Sequence, residues 1–280
     1  MIRYTPEIEP IIREAGALLM TYFRQRIGYE YKGDVDLVTE ADRASETFLN
    51  ERLRSRWPDF GVLGEEGTRS DMAAAYRWLV DPLDGTTNFA HGYPAFCISI
   101  ALVRGEELLA GFLYDPSRDE FFSAERGGGA KLNGETMRVS KTKRLSESLL
   151  GTGFPSHKRH KNPNIHFYHQ LTLRSHGLRR AGSAALDLAN VAAGRYDGFW
   201  EFNLNPWDTA AGVLLVQEAG GKVTRYDGSP FRLKSDEVLA SNGIVHQELM
   251  DNFAEIFAGR GLEDIPSPVE YAKPRTINRT

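Results

Sequence analysis

The sequence predicts a layered α/β or α+β domain, on three observations. Near the N-terminus, apolar Ile8, Ile11, Ile12, Ala15, Leu18, Leu19 and Tyr22 recur at helical spacing behind Pro6 and Glu7. The middle is a series of short β-rich runs, WLVDP, FCISIALVR, LLAGFLYDP and EFFSAE, parted by Gly, Pro or charged turns. The last third alternates β-rich and helical stretches. Helices, then a sheet, then alternating elements is the order of a layered fold.

The elements follow in order. The first helix covers about residues 6–27. A second amphipathic helix runs from about Thr39 to Arg56 and stops before Trp57-Pro58, because the residue before proline is kept out of the helical region. The turn-rich segment ERGGGAKLNGE reads as a hairpin. Helices return at about 163–175, 183–194 and 207–219, with strands near 148–153, 197–202 and 237–241. A final helix of about 244–259 precedes the polar stretch DIPSPVEYAKPRTINRT. We therefore expect one domain over residues 1–262, with an active site between two sub-halves, and a loosely ordered tail over 263–280. There is no repeat and no low-complexity linker.

Composition narrows the function. The chain has 280 residues, 34 basic and 38 acidic, for a net charge of −4. That balance argues against a nucleic-acid partner. No apolar run reaches membrane-spanning length and the N-terminus carries no signal-peptide core, so the expected location is the cytoplasm. The one cysteine, Cys97, excludes an internal disulfide and a cysteine-rich zinc site. Its context, AFCISIAL, reads as a small buried hydrophobe.

The chemistry concentrates where acids meet turns. In WLVDPLDGTTNF, a strand ending at Val80 would deliver Asp81, which Pro82 holds extended, before the chain turns through Leu83-Asp84-Gly85. The carboxylates of Asp81 and Asp84 can converge while the N–H groups of Gly85, Thr86 and Thr87 form an anion site. A hard divalent cation between them resolves the juxtaposition of carboxylates and an anion site, and Mg²⁺ takes such oxygen ligands. Taken alone, DPLDG is also an ordinary strand exit. Three further stretches bear on the choice. LGEEG places Glu65 and Glu66 at a strand end, where their side chains diverge and Glu65 is the one chosen to face a pocket. DLVTEAD offers Asp36 or Thr39 as a helix cap, with Asp42 on the first turn. NPWDTAAGVLLVQEAGG places Pro206 and Asp208 in a first helical turn, ahead of small residues suited to close packing.

Together these four ordered stretches resemble the inositol monophosphatase family. WLVDPLDGTTNF and PWDTAAGVLLVQEAGG match its two main motifs, LGEEG and DLVTEAD its shorter N-terminal ones, and LNGE, GTGFP and RRAGSAALDLAN have counterparts too. The resemblance covers about residues 5–250 and is far more specific than a lone glycine motif. It implies a layered α-β-α-β-α sandwich, a homodimer, and Mg²⁺-dependent, often Li⁺-sensitive hydrolysis of small phosphate monoesters. Carried over, Glu65, Asp81 and the Leu83 carbonyl match ligands of a first metal, and Asp81, Asp84 and Asp208 those of a second. Glu65 also lies near a third, weaker site. Thr86 and Asp42 match the residues that orient and deprotonate water, Gly85 and Thr86 the backbone donors for phosphate. Ser183, Ala184 and Glu201, with Asp84, fall where the family contacts substrate. Two or three Mg²⁺ ions can activate water and neutralise the leaving oxygen, so the expected route is direct attack by water without a phosphoenzyme.

The family often has a Lys shortly before its DxVTxxD element. Here Lys32 stands four residues before Asp36 and reads as a solvated loop charge. The run HKRHKNPNIHFYH holds His157, His160, His166 and His169, which suggest no complete zinc set and read as a basic surface loop and helix start. Arg179 and Arg180 read either as phosphate or dimer contacts or as a solvated pair. Phe121, Phe122, Phe199, Trp200 and Phe202 read as core. The expected substrate is a phosphorylated polyol, inositol 1-phosphate first. Fructose 1,6-bisphosphate and histidinol phosphate stand as alternatives. Nucleotide-directed relatives carry Lys-Glu after DGT, where this chain has Thr87-Asn88. A regulatory binding protein on the same scaffold is the competing class. Loss of a metal ligand would favour it, and none is lost.

Overall fold

The N-terminal apolar stripe folds as helix α1 (Thr5–Gln25), which buries Ile8, Ile12, Ala15, Gly16 and Leu19 on one face. The structure is a computed structural model that describes residues 3–25, 29–31, 37–154, 162–265, 267 and 269. Lys32, Asp36, His157 and His160 lie outside the described residues.

After α1 come β1 (Tyr29–Tyr31), β2 (Leu37–Thr39), α2 (Glu40–Arg56), β3 (Gly61–Gly64), β4 (Arg69–Ser70) and β5 (Tyr76–Asp84). Then follow α3 (Thr86–Ala90), β6 (Cys97–Arg104), β7 (Glu107–Asp115), β8 (Glu120–Glu125), β9 (Ala130–Leu132) and β10 (Glu135–Thr136). The second half holds β11 (Leu149–Thr152), α4 (Asn164–Arg174), β12 (Gly177–Arg179), α5 (Ala184–Ala192) and β13 (Gly198–Phe202). It ends with α6 (Pro206–Glu218), β14 (Lys222–Thr224), β15 (Glu237–Ser241) and α7 (His246–Phe257).

Two sheets organise the core. The larger has eight strands in the order β10-β9-β8-β7-β6-β5-β3-β4, antiparallel except for β3 beside β5. The smaller has five, in the order β12-β11-β13-β15-β14, with β11 parallel to both its neighbours. Helices α1 and α2 cover one face of the large sheet around Trp78, Phe96 and Phe112. Helices α5 and α6 fill the space between the sheets. Helices α4 and α7 cover the outer face of the small sheet through Phe167 and Phe253 against Trp200. The architecture is therefore an α-β-α-β-α sandwich.

The central position of α6 explains its composition. Residues Thr209–Val216 are all buried, so no polar face is possible. Gly111 on β7 lets that helix approach, since a Cβ there would lie 2.7 Å from the Ala211 carbonyl oxygen. The five aromatic residues expected in the core are buried, as is Cys97. The expected hairpin forms between β9 and β10, and Asn133 and Gly134 both take positive φ, of 49° and 84°.

Several details differ from expectation. Strand β5 does not end at Val80 but continues to Asp84, because pairing to β6 resumes beyond an irregularity. Strands β12 and β14 are too short and too polar to stand out in sequence. The tail was expected to be loose from residue 263, yet its start is bound to α4. Gln170 donates to the Glu263 carbonyl and accepts from the Glu263 N–H, and Arg174 donates to the Gly261 carbonyl.

Candidate active site

The site begins with the irregularity in β5. Asp81 pairs with Ser99 and Asp84 with Cys97, so a step of three residues on β5 opposes two on β6. Side chains alternate along a regular strand, and residues three apart point to opposite faces. The extra residue of the bulge cancels that alternation. Asp81 and Asp84 consequently line one cavity of about 480 Å³, together with Glu65, Asp187, Glu201 and Asp208.

Each carboxylate is held by its own local device. Asp81 is 1% exposed and accepts from the Leu83 N–H at 2.9 Å. Glu65 follows β3, with its N–H donated to the Val80 carbonyl. Its turn is pinned by Glu46 of α2, which accepts from the Glu66 and Thr68 N–H groups at 2.7 and 2.9 Å. Asp208 sits in the first turn of α6 and accepts from the Asn205 N–H in a capping box. Three chain segments thus bring Glu65, Asp81 and Asp208 so close that one oxygen of each lies within 4.8 Å of the others.

Such a cluster is electrostatically costly. Burial pushes Asp81 well above the usual carboxylate range, and Glu65, Asp84 and Asp208 push it further. Asp208 is raised likewise by burial, Asp84 and Glu65. The donor set is all oxygen and carries excess negative charge, which fits a hard divalent cation and not a soft or thiolate-seeking metal. Among the described residues no other group of this kind gathers. His166 and His169 share α4 but acquire no third ligand among the described residues.

Asp84 is handled differently. One of its oxygens accepts from the Ser183 hydroxyl at 2.6 Å and the Ala185 N–H at 2.7 Å, at the N-terminus of α5. Ser183 is also the N-cap of that helix, accepting from Leu186. Its hydroxyl lies 3.8 Å from Cys97 Sγ, which ties the buried thiol to the site as packing.

Beside the carboxylates stands a hydroxyl–carboxylate pair. Thr86 Oγ1 lies 3.0 Å from both Asp42 Oδ1 and the Leu83 carbonyl oxygen. The other Asp42 oxygen accepts from the Thr39 N–H and hydroxyl, so Thr39 is the helix cap and Asp42 is fully engaged. Gly85, with φ of 96°, turns the chain from β5 into α3 and brings Thr86 to the cavity wall.

The far wall is polar as well. Glu201 on β13 is 7% exposed and its pKa is raised by burial and Asp84 to about 8. Its carboxylate occupies the space above Gly153, where a Cβ would lie 2.1 Å from Oε2. Asp187 on α5 and Arg180 complete that wall. Arg179 is exposed and donates to the adjacent Leu178 carbonyl. Sequence reasoning brings Glu65, Asp81, Leu83, Asp84, Gly85, Thr86, Ser183, Ala184, Glu201 and Asp208 to this cavity, and all line it. It missed Glu46 and Asp187. Glu46 shares the buried face of α2 with Asp42, Ser45, Leu49 and Leu53. A carboxylate at a core position of an amphipathic helix was the available signal.

Known proteins agree with this geometry. The model of the inositol monophosphatase family matches residues 4–260. The chain is 45% identical over 244 residues to an inositol-1-monophosphatase of Synechocystis sp., covering 86% of this chain and 85% of the relative. It is 46% identical over 238 residues to a protein of Pseudomonas aeruginosa named Nus factor SuhB, covering 82% and 88%. Among solved structures, an inositol monophosphatase from Anabaena superposes with a TM-score of 0.79 at 43% identity, covering 88% of this chain and 94% of that one. With the sandwich, the clustered carboxylates and these matches in agreement, the chain belongs to the inositol monophosphatase family, a family of phosphatases.

Proposed function

We propose that the protein hydrolyses a small phosphate monoester with Mg²⁺, with myo-inositol 1-phosphate as the leading substrate. The observation that carries this reading is the close approach of Glu65, Asp81 and Asp208 at a cavity lined also by Thr86, whose hydroxyl donates to the buried Asp42. Glu65, Asp81 and the Leu83 carbonyl would hold one ion, Asp81, Asp84 and Asp208 a second, and Glu65 would border a third. Mg²⁺ bound there would supply charge to neutralise phosphate oxygens and acidify water.

The chain's own groups do the rest. The Thr86 hydroxyl, directed at Asp42, keeps a lone pair to accept from a water and leaves Asp42 to receive the proton. The N–H groups of Gly85 and Thr86 would hold the phosphate. Ser183 keeps Asp84 fixed, while Ser183, Ala184 and Glu201 border the alcohol half. Nothing in this set calls for a covalent phosphoenzyme.

Relatives named inositol-1-monophosphatase support inositol 1-phosphate. Histidinol phosphate and fructose 1,6-bisphosphate remain the alternatives within the fold. Relatives named Nus factor SuhB support a second reading, a protein-binding role alongside catalysis. A homodimer, Li⁺ inhibition and a cytoplasmic location belong to the same proposal. Among the described residues no helix is long and apolar enough to cross a membrane.

The test is phosphate release from inositol 1-phosphate, fructose 1,6-bisphosphate, histidinol phosphate and 3′-phosphoadenosine 5′-phosphate. Each is run with Mg²⁺, with chelator and with Asp84→Asn. Turnover of inositol 1-phosphate above the others, lost in both controls, is the expected result. A different leading ester would change the substrate and keep the site. No turnover of any ester with Mg²⁺ would remove the enzyme reading and leave the binding role.

A further inference from the structure

The far wall of the cavity contains a group that the proposed reaction does not use. Asp187 lies in the first half of α5, is 1% exposed, and lines the cavity beside Glu201. Its Oδ1 is buried without a hydrogen-bond partner. A buried carboxylate oxygen without a donor costs stability, and native structures satisfy such atoms in the great majority of cases. Three other buried acids differ in this respect: Asp81 accepts from Leu83, Asp84 from Ser183 and Ala185, and Asp42 from Thr39 and Thr86.

The neighbours of Asp187 specify what it lacks. Glu201 brings a second carboxyl to this end, its pKa raised by burial and Asp84 to about 8. Burial raises both carboxyls above the usual range, and Arg180, which lines the same wall, opposes that shift. The wall therefore presents carboxyl oxygens next to one cationic donor. Vicinal hydroxyls, each both donor and acceptor, match that arrangement, and a bare alkyl group does not.

We propose that Asp187 is a specificity residue that accepts a hydrogen bond from a hydroxyl of the substrate's alcohol half, at a position remote from the ester oxygen. This rests on the phosphomonoesterase reading above. The fold tolerates the cost of an unpaired carboxylate because substrate supplies the missing donor. A site that hydrogen-bonds a hydroxyl discriminates strongly against analogues without it, since its own polar atom is then left unpaired. Glycerol 2-phosphate, short and acyclic, carries no hydroxyl far from its ester carbon.

The experiment compares wild type, Asp187→Leu and Asp187→Asn on inositol 1-phosphate and glycerol 2-phosphate, all with Mg²⁺, and records each variant's melting temperature. Leucine is close in size and cannot accept. Asparagine keeps one carbonyl oxygen. The leucine variant is expected to raise KM for inositol 1-phosphate about tenfold with kcat within about threefold. The preference for inositol 1-phosphate over glycerol 2-phosphate should fall by a similar factor, and asparagine should restore most of it. The melting temperature should hold or rise, because an unpaired buried carboxylate is gone. A KM within twofold of wild type would overturn the proposal. So would an equal loss on both esters, or a lowered melting temperature with no change in preference. If wild type turns over neither ester, the phosphatase reading itself fails, an outcome seen before any variant is compared.

Discussion

At the scale of single residues, the site stores electrostatic repulsion. Asp81 is held among Glu65, Asp84 and Asp208, and burial keeps its carboxyl well above the ordinary range. Asn at this position keeps the oxygen that accepts from the Leu83 N–H and removes the charge. We therefore expect Asp81→Asn to raise the metal-free melting temperature by about 2–5 °C. The same change should reduce Mg²⁺-dependent turnover by at least about a thousandfold. Melting in chelator and phosphate release with Mg²⁺ measure the two halves. A metal-free variant that melts below wild type would show that repulsion is not what this cluster stores.

At the scale of elements, the site depends on how β13 and α4 are joined behind it. Asn164, fully buried at the start of α4, accepts from Trp200 Nε1 at 2.7 Å. It donates to Thr152 Oγ1 and to the Gly153 carbonyl. Gly153 in turn lies under the Glu201 carboxylate. One amide therefore ties two strands and a helix to the far wall of the cavity. Asn164→Leu leaves those buried partners unsatisfied, and we expect a loss of about 3 kcal/mol, read from denaturant midpoints at constant slope. An equal loss from Leu171→Ala, a cavity in the same layer, would be ordinary. A loss below about 1 kcal/mol for Asn164→Leu would mean that the strands do not rely on this amide.

At the scale of the whole molecule, two linkages are open to measurement. Mg²⁺ that binds the folded cluster alone stabilises by mass action, and a concentration of a hundred times Kd should raise the melting temperature by about 5–10 °C. Asp81→Asn should abolish most of that shift, and chelator should reverse it in wild type. The second linkage is with protons. His246 lies buried between the Ser241 and Thr224 hydroxyls, and burial lowers its pKa from 6.5 to about 4, with Lys222 adding to the shift. Between those values the unfolded chain takes up a proton that the folded protein excludes. Stability from this residue thus falls as pH drops through that window. Wild type should lose about 3–5 °C more than His246→Gln between pH 7 and 5. Parallel melting curves for the two would remove His246 as the cause.

What the sequence by itself determined is mostly local. Helical spacing in α1, the acids beside turns in DPLDG and LGEEG, and Asp208 in a helical first turn are written in neighbouring residues. Their physical causes, side-chain periodicity and capping, act over a few positions. The four motifs together also carried the family, because ordered motifs are specific where each alone is a common turn. Only the tertiary structure decided which acids meet. The bulge that turns Asp84 to the side of Asp81 depends on pairing with β6. The approach of Asp208 to Glu65 depends on α6 being packed between two sheets. Glu46, as the pin of the LGEEG turn, and Asp187, as an unpaired acceptor in the cavity wall, were not singled out from the sequence. Burial and hydrogen-bond satisfaction are set by neighbours distant in the chain, and no reading of adjacent residues contains them.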